Sequence, residues 1–193
     1  MKESNNRTIY DNYFAFNVWD IDSAKAVIDA SREKERPIFL QISSKVFNSI
    51  NPDEFISVIK NYIFNYDVEV LIHLDHSRDI KQIERAINAG WDSVMYDGSH
   101  LTLEENISNT AKVVGIAKMK NVLVEGEIGQ VLGVEDDINV DKGFQVKIED
   151  IERFITLTDI DLLAVAIGTA HGQYGANKPN IINELLGQIA NLT

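Results

Sequence analysis

Three stretches of this sequence gather side chains able to bind a metal or move a proton. LIHLDHS (71–77) ends an apolar run with His73, Asp75 and His76, so two of the chain's four histidines fall in one short segment. An aspartate beside a histidine at a strand end offers an acid–base group and a metal ligand on one rim, or simply a hydrogen-bonded strand terminus. His73 reads as a buried polar residue rather than a ligand. AIGTAHGQYG (166–175) sets His171 among glycines, which suits backbone lying close to a ligand or in an unusual conformation. Together His76 and His171 would supply two corners of a zinc site, which takes imidazole and carboxylate donors and, when catalytic, about three protein ligands with one position open. NVLVEGEI (121–128) puts Glu125 and Glu127 on one strand face. Two inward carboxylates are costly unless they meet a cation or hydrogen-bond donors. His100, in GSH before a helix, reads as a capping or exposed residue, with ligation the lesser alternative.

The elements that must position these residues alternate in type. Apolar runs of strand character cover 13–18, 37–43, 68–75, 92–97, 121–128 and 162–168. Amphipathic patterns predict helices at about 22–34, 52–64, 78–89, 102–119, 147–158 and 180–191. Thr102 and Glu105 have capping-box spacing, and Gly90 before Trp91 reads as a helix C-cap. Strict β–α alternation predicts a parallel sheet covered by helices, either an open doubly wound sheet or a TIM barrel. The first strand is followed by no G-x-G-x-x-G motif, which weakens the dinucleotide-binding open sheet. Every strand is apolar at its start and polar at its end, through Asn17, Gln41 and Ser43, Asp75 and His76, Asp97, Glu127, and Gly168 to Gly172. That is the layout of a TIM-barrel active face, and also of the ligand side of an open α/β sheet. The acidic, glycine-containing segment 129–143 is long for a βα loop and reads as a lid or as a solvated loop, with Glu135 able to swing in as a proton shuttle.

Composition narrows the classes. The chain has 193 residues, 45% hydrophobic and 25% charged, which is ordinary for one globular domain. A net charge of −12 with no Lys/Arg cluster argues against a nucleic-acid partner. With no cysteine, any metal must use His, Asp or Glu. The polar N-terminus MKESNNRTIYDNY is no signal peptide, and no apolar run reaches membrane-span length. These features suit a cytoplasmic protein without membrane contact.

HLDHS, SVMYDGSHLTLEENI (93–107), VEGEIGQVLGVEDD (124–137) and LLAVAIGTAHGQY (162–174), taken in series, resemble the class II, zinc-dependent ketose-bisphosphate aldolases. AFNVWDIDSAKAVIDAS (15–31) and PIFLQISS (37–44) look like that family's first two βα units. The resemblance implies a TIM barrel that reversibly cleaves fructose or tagatose 1,6-bisphosphate to dihydroxyacetone phosphate and glyceraldehyde 3-phosphate, with Zn²⁺ polarising the ketone. It implies Asp75 as the acid–base aspartate and Glu135 as the loop glutamate that moves the second proton. His76 and His171 match zinc histidines, and Asp97 and Glu127 match carboxylates at or near the metal. Asn17 and Ser43 match substrate contacts, and Gly172 a backbone position near a phosphate and a monovalent cation, K⁺ or Na⁺.

The departures set further expectations. A full barrel has about 250 residues; this sequence carries six of eight βα units, an incomplete (β/α)8-type barrel forming one partial domain over 1–193. The family's HGGSG-like and NxDT-like motifs, which carry a third zinc histidine and a phosphate site, do not occur in it. Ser77 stands where glycine is common, and Ser44-Lys45-Val46 where a Gly-Gly-Ala type loop is common. Six units leave the first and last strands as edges, which favour association. The expected partner is a second copy or a complementing C-terminal chain. The alternative to an aldolase of impaired activity is a non-catalytic, aldolase-like subunit that works by associating with a partner.

Overall fold

The structure, a computed structural model, describes residues 10, 12–135, 138–140, 146–172 and 180–192. In chain order the elements are β1 (Phe14–Asn17), α1 (Ile21–Lys34), β2 (Ile38–Ser43), α2 (Ser44–Ser49), α3 (Pro52–Ile63), β3 (Val70–Ser77), α4 (Ile80–Ala89) and β4 (Ser93–Tyr96). Then follow α5 (Leu103–Lys118), β5 (Leu123–Ile128), β6 (Leu132–Glu135), β7 (Ile138–Val140), α6 (Ile148–Thr158), β8 (Leu162–Val165), β9 (Ala170–His171) and α7 (Asn183–Ile189). Six strands form one parallel sheet in the order β1-β2-β3-β4-β5-β8. This is the α/β order of a partial TIM barrel, with β1 and β8 at its two ends. Each strand predicted from the apolar runs is present, most of them shortened at one or both ends, while β3 starts later and runs on to Ser77.

Three features were not anticipated. The first is α2, where Ser43 Oγ accepts from Val46 N at 3.4 Å and so caps a helix in place of a loop. It is held from across the chain: Ser44 Oγ and Ser77 Oγ both donate to Gln82 Oε1, at 2.8 and 2.6 Å, and Gln82 Nε2 donates to Ser44 O at 2.9 Å. The two serines that depart from the family pattern thus share one glutamine. The second is a small sheet in the order β7-β6-β9, whose strands are too short to show a period. The third is the late start of α7, because Ile182 N donates to Ile167 O at 2.9 Å and draws that residue toward the end of β8.

The chain divides into two compact units, Met1–Met95 with Ile116–Leu123, and Tyr96–Gly115 with Val124–Thr193. The core of the first is built on the sheet, with Leu40, Ile42, Ile72 and Leu74 fully buried. Trp91 packs against Phe47 at 4.9 Å and Phe55 at 6.1 Å between ring centroids. Asp20 and Ser23 close a capping box on α1, and Gly90 ends α4 with φ of 88°, as its place in the sequence predicts. The second unit centres on Ile107, Ile128, Ile151, Phe154 and Leu185. There the predicted capping box forms: Glu105 N donates to Thr102 Oγ1 at 3.3 Å and Thr102 N donates to Glu105 Oε2 at 3.2 Å.

One device sets strand starts in both units. Asp92, just before β4, accepts from Ile72 N at 2.9 Å through Oδ2, while its own N–H donates to Ile72 O at 3.1 Å. Asp161, just before β8, does the same to Val124, at 2.8 and 2.9 Å. Each carboxylate satisfies an N–H on the neighbouring strand and fixes the register of the strand that follows. Replacing Asp161 with Ala should cost about 1–3 kcal/mol in urea unfolding, the usual cost of orphaning a buried donor. Asp161→Asn, which keeps an acceptor, should lose less than half of that; equal losses would show that the bond to Val124 is not what matters.

Candidate metal centre

In the first unit the site residues lie at the end of β3. Parallel pairing sets Gln41 beside His73 and Ser43 beside Asp75. His73 is fully buried, and its Nδ1 pairs with Ser93 Oγ at 2.8 Å. Burial, aided by the nearby His76, lowers its pKa to about 3. It is therefore neutral, and the 3.9 Å between its Nε2 and Asp75 Oδ1 is no ion pair at neutral pH. Asp75, 4% exposed, accepts from Gln41 Nε2 at 3.3 Å, and its Oδ1 lies 4.0 Å from His76 Nε2. His76 has φ of 46°, in the left-handed region. Histidine tolerates this better than β-branched residues do, at about 1–2 kcal/mol. Such strain clusters at functional sites. Ser77, anchored on Gln82, fixes the chain directly after it.

In the second unit Asp97 follows β4 and is 2% exposed. Its Oδ1 accepts from Ser99 N at 3.1 Å and Ser99 Oγ at 2.6 Å, which curls the chain into an Asx-type turn. Glu127 on β5 is 3% exposed, and Glu125, two residues earlier on the same face, is half-buried. Asn106 of α5 donates to Glu127 O at 2.8 Å and accepts from Thr110 Oγ1 at 3.0 Å, holding helix to strand. His171 is half-buried on β9, with exposed Gly172 at φ of 78° after it.

His76, Asp97 and Glu127 make up a His/Asp/Glu donor set. This His/Asp/Glu cluster has the donor chemistry of a zinc-type or hard divalent cation. Two of its members are buried carboxylates, whose desolvation a dication would offset. Three of the four residues expected at the metal belong to this set; His171 does not. The Glu135 side chain lies outside the described residues, although its backbone belongs to β6. Asn17 is exposed on β1, and the Ser43 hydroxyl caps α2. His100 is exposed and, with Ser99, Asn106 and Gln130, lines a recess of about 440 Å³. Sequence reasoning assigned no role to Gln41, Ser93, Ser99 or Asn106. Gln41 carried a signal, a polar residue in an apolar strand; Asn106 carried none, since its partner is a backbone carbonyl 21 positions away.

The family described as fructose-bisphosphate aldolase class-II matches residues 10–193. The chain belongs to that family. It is 36% identical over 183 residues to fructose-bisphosphate aldolase of Helicobacter pylori strain J99, covering 93% of this chain and 60% of that one. Among solved structures it is similar to the YdjI aldolase from Escherichia coli K12, at 26% identity and TM-score 0.80, over 94% of this chain and 63% of the other. Fructose-bisphosphate aldolase from Campylobacter jejuni shares the fold, at 22% identity and TM-score 0.72, over 96% and 63%. The chain spans about 60% of the length of the curated relatives it matches. No helix among the described residues is long and apolar enough to cross a membrane.

The state of His73 can be tested without a metal. The unfolded chain takes up a proton near pH 6.5, whereas folded His73 refuses it until about pH 3. Stability from this group is thus complete above pH 6.5 and is lost as pH falls toward 3, by up to about 1.4 kcal/mol per pH unit. Urea unfolding between pH 7 and 4 should show a slope shallower by about that amount in His73→Gln. Parallel slopes would mean that His73 keeps an ordinary proton affinity.

Proposed function

We propose that this chain carries the metal-binding and proton-handling part of a class II aldolase acting on a ketose 1,6-bisphosphate, fructose or tagatose. The observation that carries this reading is the donor set of His76, Asp97 and Glu127 in a member of that family. These residues, with His171, would hold Zn²⁺. Bound there, the metal supplies Lewis acidity toward the ketone and the charge that develops on it.

The remaining chemistry falls to the protein's own groups. Asp75 would take the substrate hydroxyl proton when the carbon–carbon bond breaks and return it in condensation. Its surroundings suit proton transfer, because the Gln41 amide orients the carboxylate and the nearby His73, being neutral, adds no full positive charge that would weaken it as a base. Glu135 would carry the proton exchanged at the adjacent carbon. Asn17 and Ser43 would contact the sugar. The Gly172 backbone would lie by a phosphate and a monovalent cation, K⁺ or Na⁺.

A second reading draws on a different observation. Phe14, Phe16 and Trp19, on and just after the end strand β1, are 57%, 45% and 65% exposed. An apolar end strand of this kind favours pairing with another chain, either a second copy or a complementing C-terminal chain. In that case the chain works by association.

Chelator competition should give one Zn²⁺ per chain. His76→Ala and Glu127→Gln should each weaken binding by more than about 100-fold, since even the outer-shell partners of metal ligands are worth about 10–100-fold. Coupled detection of triose phosphate from ketose bisphosphate should show turnover that chelation abolishes. Asp75→Asn should lower that turnover by about 10²–10⁴-fold, the range of general acid–base catalysis, while leaving the metal bound. Turnover that survives full metal removal would overturn the proposal. A zinc-loaded chain that is inert alone, and heavier than a monomer in light scattering, would favour the second reading.

A further inference from the structure

β6 and β9 meet in the small sheet that no period in the sequence announced. They pair in parallel, with Leu132 beside Ala170 and Gly133 beside His171. β6 contains the backbone of Glu135, and β9 ends in His171. Two residues to which the proposed function gives separate roles, one on a proton and one on a metal, thus lie on neighbouring strands of one ladder.

The approach of these strands depends on a missing side chain. At Gly133 φ is +106°, and a Cβ there would fall 2.3 Å from His171 O and 3.0 Å from His171 N. Both are backbone atoms, so no rotamer change can relieve the contact. The other side of the segment is equally close. At Gly168 φ is +91°, and a Cβ would fall 2.0 Å from Asn180 O. The backbone leading into His171 is therefore gripped by Asn180 before the histidine and by Gly133 at it.

We propose that Gly133 is a positioning residue, and that the β6–β9 ladder it permits couples metal capture by His171 to the ordering of the Glu135 strand. This rests on the reading of His171 as a metal ligand. A metal on His171 restrains β9, and β9 presents its backbone groups to β6. Linkage makes the effect reciprocal, so whatever disturbs β6 weakens the metal by the same factor that the metal orders β6. The proton-moving strand is then in place when the metal is in place.

Two measurements test this, neither of them an activity. Amide hydrogen exchange of the wild-type chain, with and without Zn²⁺, should show added protection in 170–171 and in 132–135 together. Protection confined to 170–171 would overturn the coupling, and this measurement needs no variant to fold. Gly133→Ala should weaken Co²⁺ binding by about 10–100-fold, the range for groups that orient a ligand. It should also shift the Co²⁺ d–d spectrum toward that of His171→Ala, and the double variant should lose little more than His171→Ala alone. Gly187→Ala, at a helical glycine with open space around it, should leave both readouts unchanged. Wild-type Co²⁺ affinity and spectrum in Gly133→Ala would overturn the role of Gly133. Wild-type affinity in His171→Ala would instead remove the ligand reading on which the inference stands.

Discussion

Parallel pairing in register is the constraint on which the rest of this molecule depends. Once Gln41 is opposite His73 and Ser43 opposite Asp75, the polar ends of β2 and β3 arrive at one level. The pairing of Glu127 with Ala164 fixes β5 against β8 in the same way. A slip of one residue would turn Asp75 and Glu127 to the opposite face of their strands and bring apolar neighbours in their place. The aspartates before β4 and β8 guard against this, since each bonds both ways to the backbone of an adjacent strand.

That register delivers charge into places where charge is expensive. Asp75, Asp97 and Glu127 are all at most 4% exposed. Each is surrounded by a different arrangement. Asp75 has an amide donor and two imidazoles near it, one of them held neutral by burial. Asp97 has a serine hydroxyl and N–H on one oxygen. Glu127 has its backbone, rather than its carboxylate, fixed by Asn106. Similar carboxylates thus meet different surroundings, and on that difference rests the proposed division between a proton-exchanging Asp75 and a cation-binding Asp97 and Glu127. Backbone strain falls in the same neighbourhood, with His76 in the left-handed region and Ser77 tied to Gln82 immediately after it.

Apolar runs and helical spacing were enough for the six-stranded sheet and, among the described residues, for every helix except α2, because those signals are local. Thr102 with Glu105 and Gly90 before Trp91 were legible for the same reason, since a cap needs only residues a turn apart. His76, Asp97 and Glu127 were legible as candidates because a polar residue at the end of an apolar strand violates the pattern around it. Asn106 and Gln82 were not, because a polar residue on a helix breaks no pattern until its distant partner is known.

The sequence by itself therefore determined the α/β order, the strand ends that carry chemistry, and a donor set limited to histidine and carboxylates by the absence of cysteine. Only the tertiary structure decided the surroundings of these candidates. Asp97 and Glu127 are almost wholly buried and His76 is bent into the left-handed region, and neither property belongs to one strand taken alone. Tertiary structure also decided that His73 is a neutral structural residue, because desolvation depends on everything packed around the ring. Likewise, the partnership of Gly133 with His171 exists only once β6 and β9 lie side by side, and nothing in either segment specifies the other.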